Sequence, residues 1–527
     1  MIARMLFLLC FLCTTISLFA QRNVILIIAD DLGSDYCGFY ENHVDTAKMP
    51  NIRRLLTRGV RFRNAWSNPL CSPTRAGILT GRYSFRTGVG TAIGGTATVL
   101  DTAEITIPKL LNKYAPGGYA KANIGKWHLQ NAVPTNYLLP NKMGYDHYEG
   151  NLAGGVNSYT NWTKVKNGIA SNVTTYATTE TTNNAISWVK AQGNKPFFLW
   201  LAYNAPHTPH HLPPSNLHSS SNLSGTAAHI AANPESYFKA AVEALDHEIG
   251  RLFDSLQKLN RWDNTDILFI GDNGDDPTVA QRSGGNKGSI AQGGVSVPLI
   301  ISGPSVNNPG RVSDALVNAQ DLFATILELL GHNKWAAQIP SDKPVDSKSI
   351  VPILKNQSSS IRNWIFTEVF RTPTVAADGK AMRNLEYKLL DLDNGTQEFY
   401  HLASDPYESN DLLKKPLDAN AQSNYNSLCA EMSKLVGKSG FCSLTTAMHE
   451  PFIQANPLEI YPNPVTDYLT LKNTSADASY QVWSTTGQVL YRGTNITQVN
   501  MSSWPSGIYC LAILNKQQKQ VVRFVKQ

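Results

Sequence analysis

The chain has 527 residues, 42% of them hydrophobic and 16% charged, and its 46 basic and 40 acidic residues leave a formal net charge of +6. Such a length calls for roughly two to four domains, and the apolar share is ample for a buried core, which excludes a disordered chain. The charges are spread without a block of one sign, which excludes a nucleic-acid protein built on a basic stripe and is compatible with an anionic substrate. At the start, Arg4 precedes an uncharged apolar run from Met5 to Ala20. This predicts a secretory signal peptide over residues 1–20, too short for a membrane anchor. No later apolar stretch reaches the roughly 20 residues of a membrane-spanning helix, so no span is expected. Asn23–Ala29 is a continuous apolar run of strand length, as are Pro196–Tyr203, Asp266–Gly271 and Val297–Ser302. Runs without alternation mark strands buried on both faces. Tyr119–Ile124 reads as another strand. Helices are predicted where Pro50 leads into Ile52, Leu55 and Leu56, and along the stripe Phe238, Val242, Leu245, Ile249 and Leu252. Residues 170–184, rich in Thr and Asn, and 213–225, rich in Ser, Asn and His, read as surface loops that shape a cleft.

Strand–helix alternation predicts an α/β sandwich with a largely parallel sheet over residues 21–355. Shorter strands at Asn363–Glu368 and Tyr387–Asp391 indicate a smaller α+β subdomain over 356–450. Short alternating segments broken by Pro, Asn and Gly indicate a terminal β-sandwich over 455–527. Outside the signal the cysteines are Cys37, Cys71, Cys429, Cys442 and Cys510, an odd number. Cys429 and Cys442 are close enough in sequence to bridge in an oxidising compartment.

In open α/β sheets, ligands bind beyond the carboxyl ends of the strands. The residues there are Asp30 and Asp31 after the first strand, Lys126 and His128 after the Tyr119 strand, His207 after the Pro196 strand, and Asp272 and Asn273 after the Asp266 strand. Taken singly, an Asp after a strand is also what a helix N-cap looks like. Four strand ends delivering such groups to one rim point to a site. Asp30, Asp31, Asp272 and Asn273 offer hard oxygens and no soft ligand, which suits Ca²⁺ or Mg²⁺ rather than zinc. In Cys71-Ser-Pro-Thr-Arg75, Pro73 fits a first helical turn, so Cys71 would lie at the positive helix end with Arg75 one turn on. A buried structural cysteine beside a proline is the plainer alternative.

Cys71-Ser-Pro-Thr-Arg75 with Ala76-Gly-Ile-Leu-Thr-Gly81 resembles the signature of the type I sulfatases, whose cysteine is oxidised to formylglycine (3-oxoalanine). Asp30-Asp-Leu-Gly33, Gly125-Lys-Trp-His-Leu129, Ala205-Pro-His-Thr-Pro209, Asp272-Asn-Gly274, Asn286-Lys-Gly-Ser289 and Asp405-Pro-Tyr-Glu408 match the same family in order, over about 22–415. The resemblance implies an alkaline-phosphatase-like α/β sandwich, a maturation enzyme that generates formylglycine, and hydrolysis of the sulfate ester of a sulfated oligo- or polysaccharide. It implies metal ligands Asp30, Asp31, Asp272, Asn273 and the modified Cys71, and sulfate contacts from Arg75, Lys126 and Lys287. His207 is expected to protonate the leaving alcohol and His128 to act as base on the nucleophile. Were His207 only a sulfate ligand, Lys287 would be the next acid, its pKa lowered by Arg75 and Lys126. Phosphate or phosphonate ester hydrolysis and non-catalytic glycan binding are the alternatives on this scaffold. Gly271, Gln292, Ser296 and Gln130 depart from the family pattern.

Tyr461-Pro-Asn-Pro464, Gly487, Ser506-Gly-Ile-Tyr509 and the basic end Arg523–Lys526 resemble the C-terminal sorting domain of the type IX secretion system. That implies export through the periplasm to the surface or surroundings of a Gram-negative cell. A carbohydrate-binding or fibronectin-like sandwich is the alternative.

Overall fold

The computed structural model describes residues 22–40, 45–437 and 459–527, apart from 96, 132, 134–135, 283–284, 473, 475–477, 485–487 and 515–518. The expected signal peptide, Cys442 and Gly487 lie outside the described residues. Two compact units form, residues 1–441 and 442–527.

The first unit is organised by a ten-stranded sheet. Its strands are β1 (Asn23–Asp30), β2 (Gly59–Trp66), β3 (Ala120–Gly125), β4 (His147–Gly150) and β5 (Trp162–Lys166), then β6 (Ile169–Val173), β7 (Phe197–Pro206), β8 (Thr265–Gly271), β9 (Leu299–Ser302) and β10 (Arg311–Asn318). The order is β10-β2-β9-β8-β1-β7-β3-β4-β5-β6. The central strands β8, β1, β7, β3 and β4 pair in parallel. Every residue of β1 is buried, and its side chains alternate between two cores. Val24, Leu26 and Ile28 join one; Ile25, Ile27 and Ala29 join the other. The continuous apolar run therefore has the cause expected of it, helices on both faces. On the second face lie α1 (Pro50–Thr57), through Ile52 and Leu55, and α4 (Pro234–Lys258), through Phe238, Val242 and Leu245. The first face carries α2 (Cys71–Thr80) and α5 (Asp321–Leu329).

One expectation changes. Residues 170–184 are not a loop: they hold most of β6 and the first half of α3 (Ala177–Ala191). The buried Thr178, Thr181 and Thr182 form the inner side of α3 together with Ala185 and Val189. The Thr181 and Thr182 hydroxyls bond back to the carbonyls of Ala177 and Thr178, so tertiary burial overrides a weak helix composition. Strand β9 runs antiparallel to both neighbours. Leu299 pairs with Ile270 at the rim where β8 ends. The chain between them thus stays on that rim instead of crossing the sheet, and an antiparallel return needs no crossover. Residues 213–225 contain no helix or strand, as expected.

Still in this unit, β11 (Ile365–Val369), β12 (Gly379–Arg383), β13 (Tyr387–Leu392) and β14 (Gln397–His401) make an antiparallel sheet. Helix α6 (Ala419–Val436) packs on it through Tyr425, whose hydroxyl donates to Gln397 at 2.6 Å. Cys429, on α6, is disulfide-bonded.

The second unit has a three-stranded sheet of β15 (Glu459–Tyr461), β16 (Tyr468–Lys472) and β19 (Gln498–Asn500). Its four-stranded sheet contains β17 (Ser479–Ser484), β18 (Val489–Thr494), β20 (Gly507–Leu514) and β21 (Lys519–Lys526). Leu469, Leu471, Tyr480, Val482, Leu511 and Phe524 share one core between them.

Candidate active site

The carboxyl ends of the central strands meet at one level. Ala29 pairs with Gly271, Asp30 with Pro206, and Gly125 with Ala202. Asp30 therefore closes β1 and Asp31 comes directly after it; Asp272 and Asn273 succeed β8, His207 succeeds β7, and Lys126 and His128 succeed β3. Asp31 and His128 have φ of 61° and 52°, a left-handed backbone uncommon for such residues and typical of constrained sites. Cys71 is the first residue of α2, whose ten residues are all buried. The Thr74 hydroxyl holds the turn before it, accepting from Asn68 N–H at 3.0 Å and lying 3.1 Å from the Asn68 carbonyl.

These residues interlock. Arg75 gives Nε and Nη2 to Asp272 Oδ2 at 3.0 and 2.7 Å, and Nη1 to the Lys126 carbonyl at 2.9 Å. Lys126 Nζ donates to Asp30 Oδ2 at 2.6 Å, and Lys287 Nζ to Asp31 Oδ2 at 2.7 Å. Asn273 Nδ2 donates to Asp31 Oδ1 at 2.8 Å. His207 Nε2 stands 3.7 Å from Asp31 Oδ2, while its Nδ1 bonds the Thr208 carbonyl at 2.7 Å. His128 Nε2 lies 3.0 Å from the Ile93 carbonyl, and its buried Nδ1 has no hydrogen-bond partner. Every expected site residue reaches this cluster except His128, which the described contacts tie to its edge through the carbonyl it gives to Ser72 Oγ at 2.8 Å.

Burial sets the charge balance. Burial and the neighbouring Asp272 raise the pKa of Asp30 against the pull of Lys126. Burial also works against ionised Asp31, but His207, Lys287 and Lys126 outweigh it and hold Asp31 below the usual carboxylate range. Burial and the cations Lys126 and Arg75 push His128 well below the ordinary histidine value, which favours the neutral ring. For Lys287, burial favours the neutral amine, yet Asp31, Cys71 and Asp30 prevail and raise its pKa. The expected lowering of Lys287 by Arg75 and Lys126 is thus reversed: its nearest partner is the Asp31 carboxylate, which raises its pKa.

The oxygens fit a hard cation. Ligand atoms of Asp30, Cys71 and Asp272 lie within 4.8 Å of one another, as do those of Asp30, Asp31 and His207. Asp30 Oδ1 and Asn273 Oδ1 are buried without a hydrogen bond. Buried acceptors left bare are costly, and a hard cation among these oxygens would satisfy both.

Other contributors were not singled out from the sequence. Ser72 bridges the His128 carbonyl and the Ile93 N–H. Gly154 and Gly155 face the two histidines: a Cβ at Gly154 would lie 2.7 Å from His128 Nε2, and one at Gly155 3.1 Å from His207 Cε1. The Gly154-Gly155 pair was the available signal. Arg282 donates through Nε to both oxygens of Asp35 at 2.9 Å and through Nη1 to the Pro406 carbonyl, also at 2.9 Å, and so anchors the loop that carries Lys287.

The departures from the family pattern have local causes. A Cβ at Gly271 would lie 2.0 Å from the Leu32 carbonyl oxygen. Gln292 accepts from Trp66 Nε1 at 2.7 Å, and its N–H donates to Glu408 at 2.6 Å. Ser296 pairs with Ser34 at 3.3 Å, and Gln130 donates to the Asn136 carbonyl at 2.6 Å.

Comparison with known proteins agrees with this geometry. Residues 22–332 match the sulfatase family, 286–437 the N-sulphoglucosamine sulphohydrolase C-terminal family, and 459–527 the secretion system C-terminal sorting domain. Human N-acetylgalactosamine-6-sulfatase is 29% identical over 372 residues, covering 63% of this chain and 65% of the human protein. The uncharacterized sulfatase YdeN of Escherichia coli (strain K12) is 30% identical over 403 residues, covering 66% and 69%. The crystal structure of Ps i-CgsB in complex with k-i-k-neocarrahexaose superposes with a TM-score of 0.67 at 28% identity, over 79% of this chain and 92% of that one. The chain spans just under two thirds of the length of the human protein. A family match across more than half the chain, on a sheet whose strand ends gather the same signature residues, shows that this chain belongs to the sulfatase family.

Proposed function

We propose that this protein is a sulfuric ester hydrolase that removes sulfate from a sulfated carbohydrate once a maturation enzyme has converted Cys71 to formylglycine. The observation that carries this reading is Cys71 at a buried helix start beside Asp30 and Asp272, ringed by Arg75, Lys126 and Lys287. Hydrated formylglycine at 71 would supply two hydroxyls on one carbon, and Ca²⁺ or Mg²⁺ held by Asp30, Asp31, Asp272, Asn273 and residue 71 would supply concentrated positive charge. Arg75, Lys126 and Lys287 are placed to balance the negative oxygens of a sulfate ester as charge builds on them. With Nδ1 held by the Thr208 carbonyl, His207 presents Nε2 as the ring position that carries a proton to the leaving alcohol. His128 is tied to the start of α2 through Ser72, its Nδ1 is without a hydrogen bond, and it is the residue we assign to take a proton from a hydroxyl at position 71 as sulfate departs.

The names of the human relative and of the neocarrahexaose complex support a sulfated sugar as substrate. The match of the tail to the sorting domain supports export by type IX machinery through the periplasm to the cell surface or beyond. Among the described residues no helix is long and apolar enough to cross a membrane. The test is sulfate release from defined sulfated oligosaccharides by protein from its native host, alongside matched phosphodiesters, with peptide mass spectrometry of residue 71. Active protein carrying only the unmodified thiol would overturn the mechanism, and faster phosphodiester cleavage would move the activity to phosphate esters.

A further inference from the structure

Gly154 and Gly155 face the rings of His128 and His207. Gly155 also lines a cleft of about 520 Å³ formed with the segment 151–158, Tyr137 and residues of β5 and the edge strand β6. That volume lies within the range of about 300–1,000 Å³ common to small-molecule sites. Among its described lining residues no side chain is charged. Asn157, Asn161 and Asn172 present exposed amides, and Ser158 and Thr163 add hydroxyls. Asn151 fixes the floor, donating to the carbonyls of Ala153 at 3.2 Å and Gly155 at 2.9 Å. The nearby cations are engaged elsewhere: Lys164 Nζ lies 2.9 Å from Glu149 and 2.6 Å from Glu180, and Lys166 pairs with Glu149 at 3.2 Å.

We infer that this cleft is a subsite for an uncharged sugar unit adjoining the sulfated one. The inference rests on the sulfatase reading and narrows its substrate. Neutral amides and hydroxyls can exchange hydrogen bonds with sugar hydroxyls on even terms. A sulfate or carboxylate in the same place would give up its hydration without meeting a cation. The catalytic cluster next to it is the reverse, rich in cations. The chain therefore reads one anionic group at the histidines and a neutral unit beyond them.

The experiment uses three probes: one sulfated monosaccharide, the same unit linked to a neutral hexose, and the same unit linked to a hexuronic acid. The full mature protein should favour the neutral disaccharide in kcat/KM over the acidic one. Asn157→Ala with Asn161→Ala, both exposed and outside the catalytic cluster, should raise KM for the neutral disaccharide about 3- to 10-fold. Turnover of the monosaccharide should stay unchanged. Asn161→Lys should narrow or reverse the preference for the neutral neighbour. Hydrolysis of the monosaccharide with equal or better use of the acidic disaccharide would overturn the subsite while leaving the sulfatase reading intact. Failure to release sulfate from all three probes would overturn the sulfatase reading, and the subsite with it.

Discussion

Arg75 and Asp272 form a pair in which both side chains are fully buried, with two guanidinium nitrogens on one carboxylate oxygen at 3.0 and 2.7 Å. Burial disfavours the Arg75 charge, but Asp272 and Asp30 outweigh it and raise its pKa. Breaking such a pair from one side leaves a bare charge, which costs about 3–5 kcal/mol. Asp272→Ala should lower unfolding stability by that amount in a chelator, where metal loss adds nothing, and should abolish sulfate release. Asp272→Asn keeps an acceptor for the Asp31 N–H, which Asp272 Oδ1 now takes at 3.1 Å, so it should cost less stability and just as much activity. A change below about 1 kcal/mol for Asp272→Ala in denaturant titration would show that Arg75 is satisfied without it.

One divalent ion per chain should be found in active protein, calcium or magnesium rather than zinc, because the donor set is oxygen. Ligand binding to the folded state at a hundredfold excess over Kd adds about 2.7 kcal/mol. Chelation should therefore lower the melting temperature, and returning Ca²⁺ should restore it. Stoichiometric zinc by elemental analysis, with no calcium or magnesium, contradicts the assignment.

Replacing His207 separates acid catalysis from sulfate binding. General acid catalysis contributes roughly 10²–10⁴-fold where the leaving group needs a proton. His207→Ala should slow a sugar sulfate by about that factor and an activated aryl sulfate much less, provided bond cleavage limits both. Equal losses on the two substrates would make His207 a binding residue, and Lys287 would be a poor replacement as acid, since its carboxylate partner Asp31 raises its pKa.

Glu368, on β11, gives a pH dependence of stability away from the metal ligands. It is 1% exposed and accepts the Phe85 N–H at 2.7 Å, while its Oε2 has no hydrogen bond. Burial pushes its pKa from 4.5 to about 7, against the pull of the Phe85 N–H and Lys380. The folded state then keeps a proton that the unfolded state gives up. The contribution is complete below about pH 4.5 and is lost as pH rises through about 7, amounting to about 3 kcal/mol. Glu368→Gln should flatten that slope in denaturation midpoints between pH 5 and 8, and an unchanged slope would assign it to other groups.

The sequence by itself determined the strands buried on both faces, because an unbroken apolar run needs cover on both sides; strand direction it left open, since the equally apolar β9 runs antiparallel. It also determined which residues stand at the strand ends, since a strand boundary fixes the residues just past it. Cys71 at the start of a helix was legible from Pro73 and the pattern around it. Only the tertiary structure decided the rest. Asp31 and Asn273 are joined at 2.8 Å across 242 residues, a distance no local pattern encodes. The Thr-rich segment became α3 because burial of Thr178, Thr181 and Thr182 outweighs their weak helix preference. The direction of the Lys287 pKa shift was misjudged because sequence order shows which cations converge but not which carboxylate each one touches. Pairing at 2.7 Å with Asp31 raises it, since the nearest opposite charge carries the largest Coulomb interaction in a buried site.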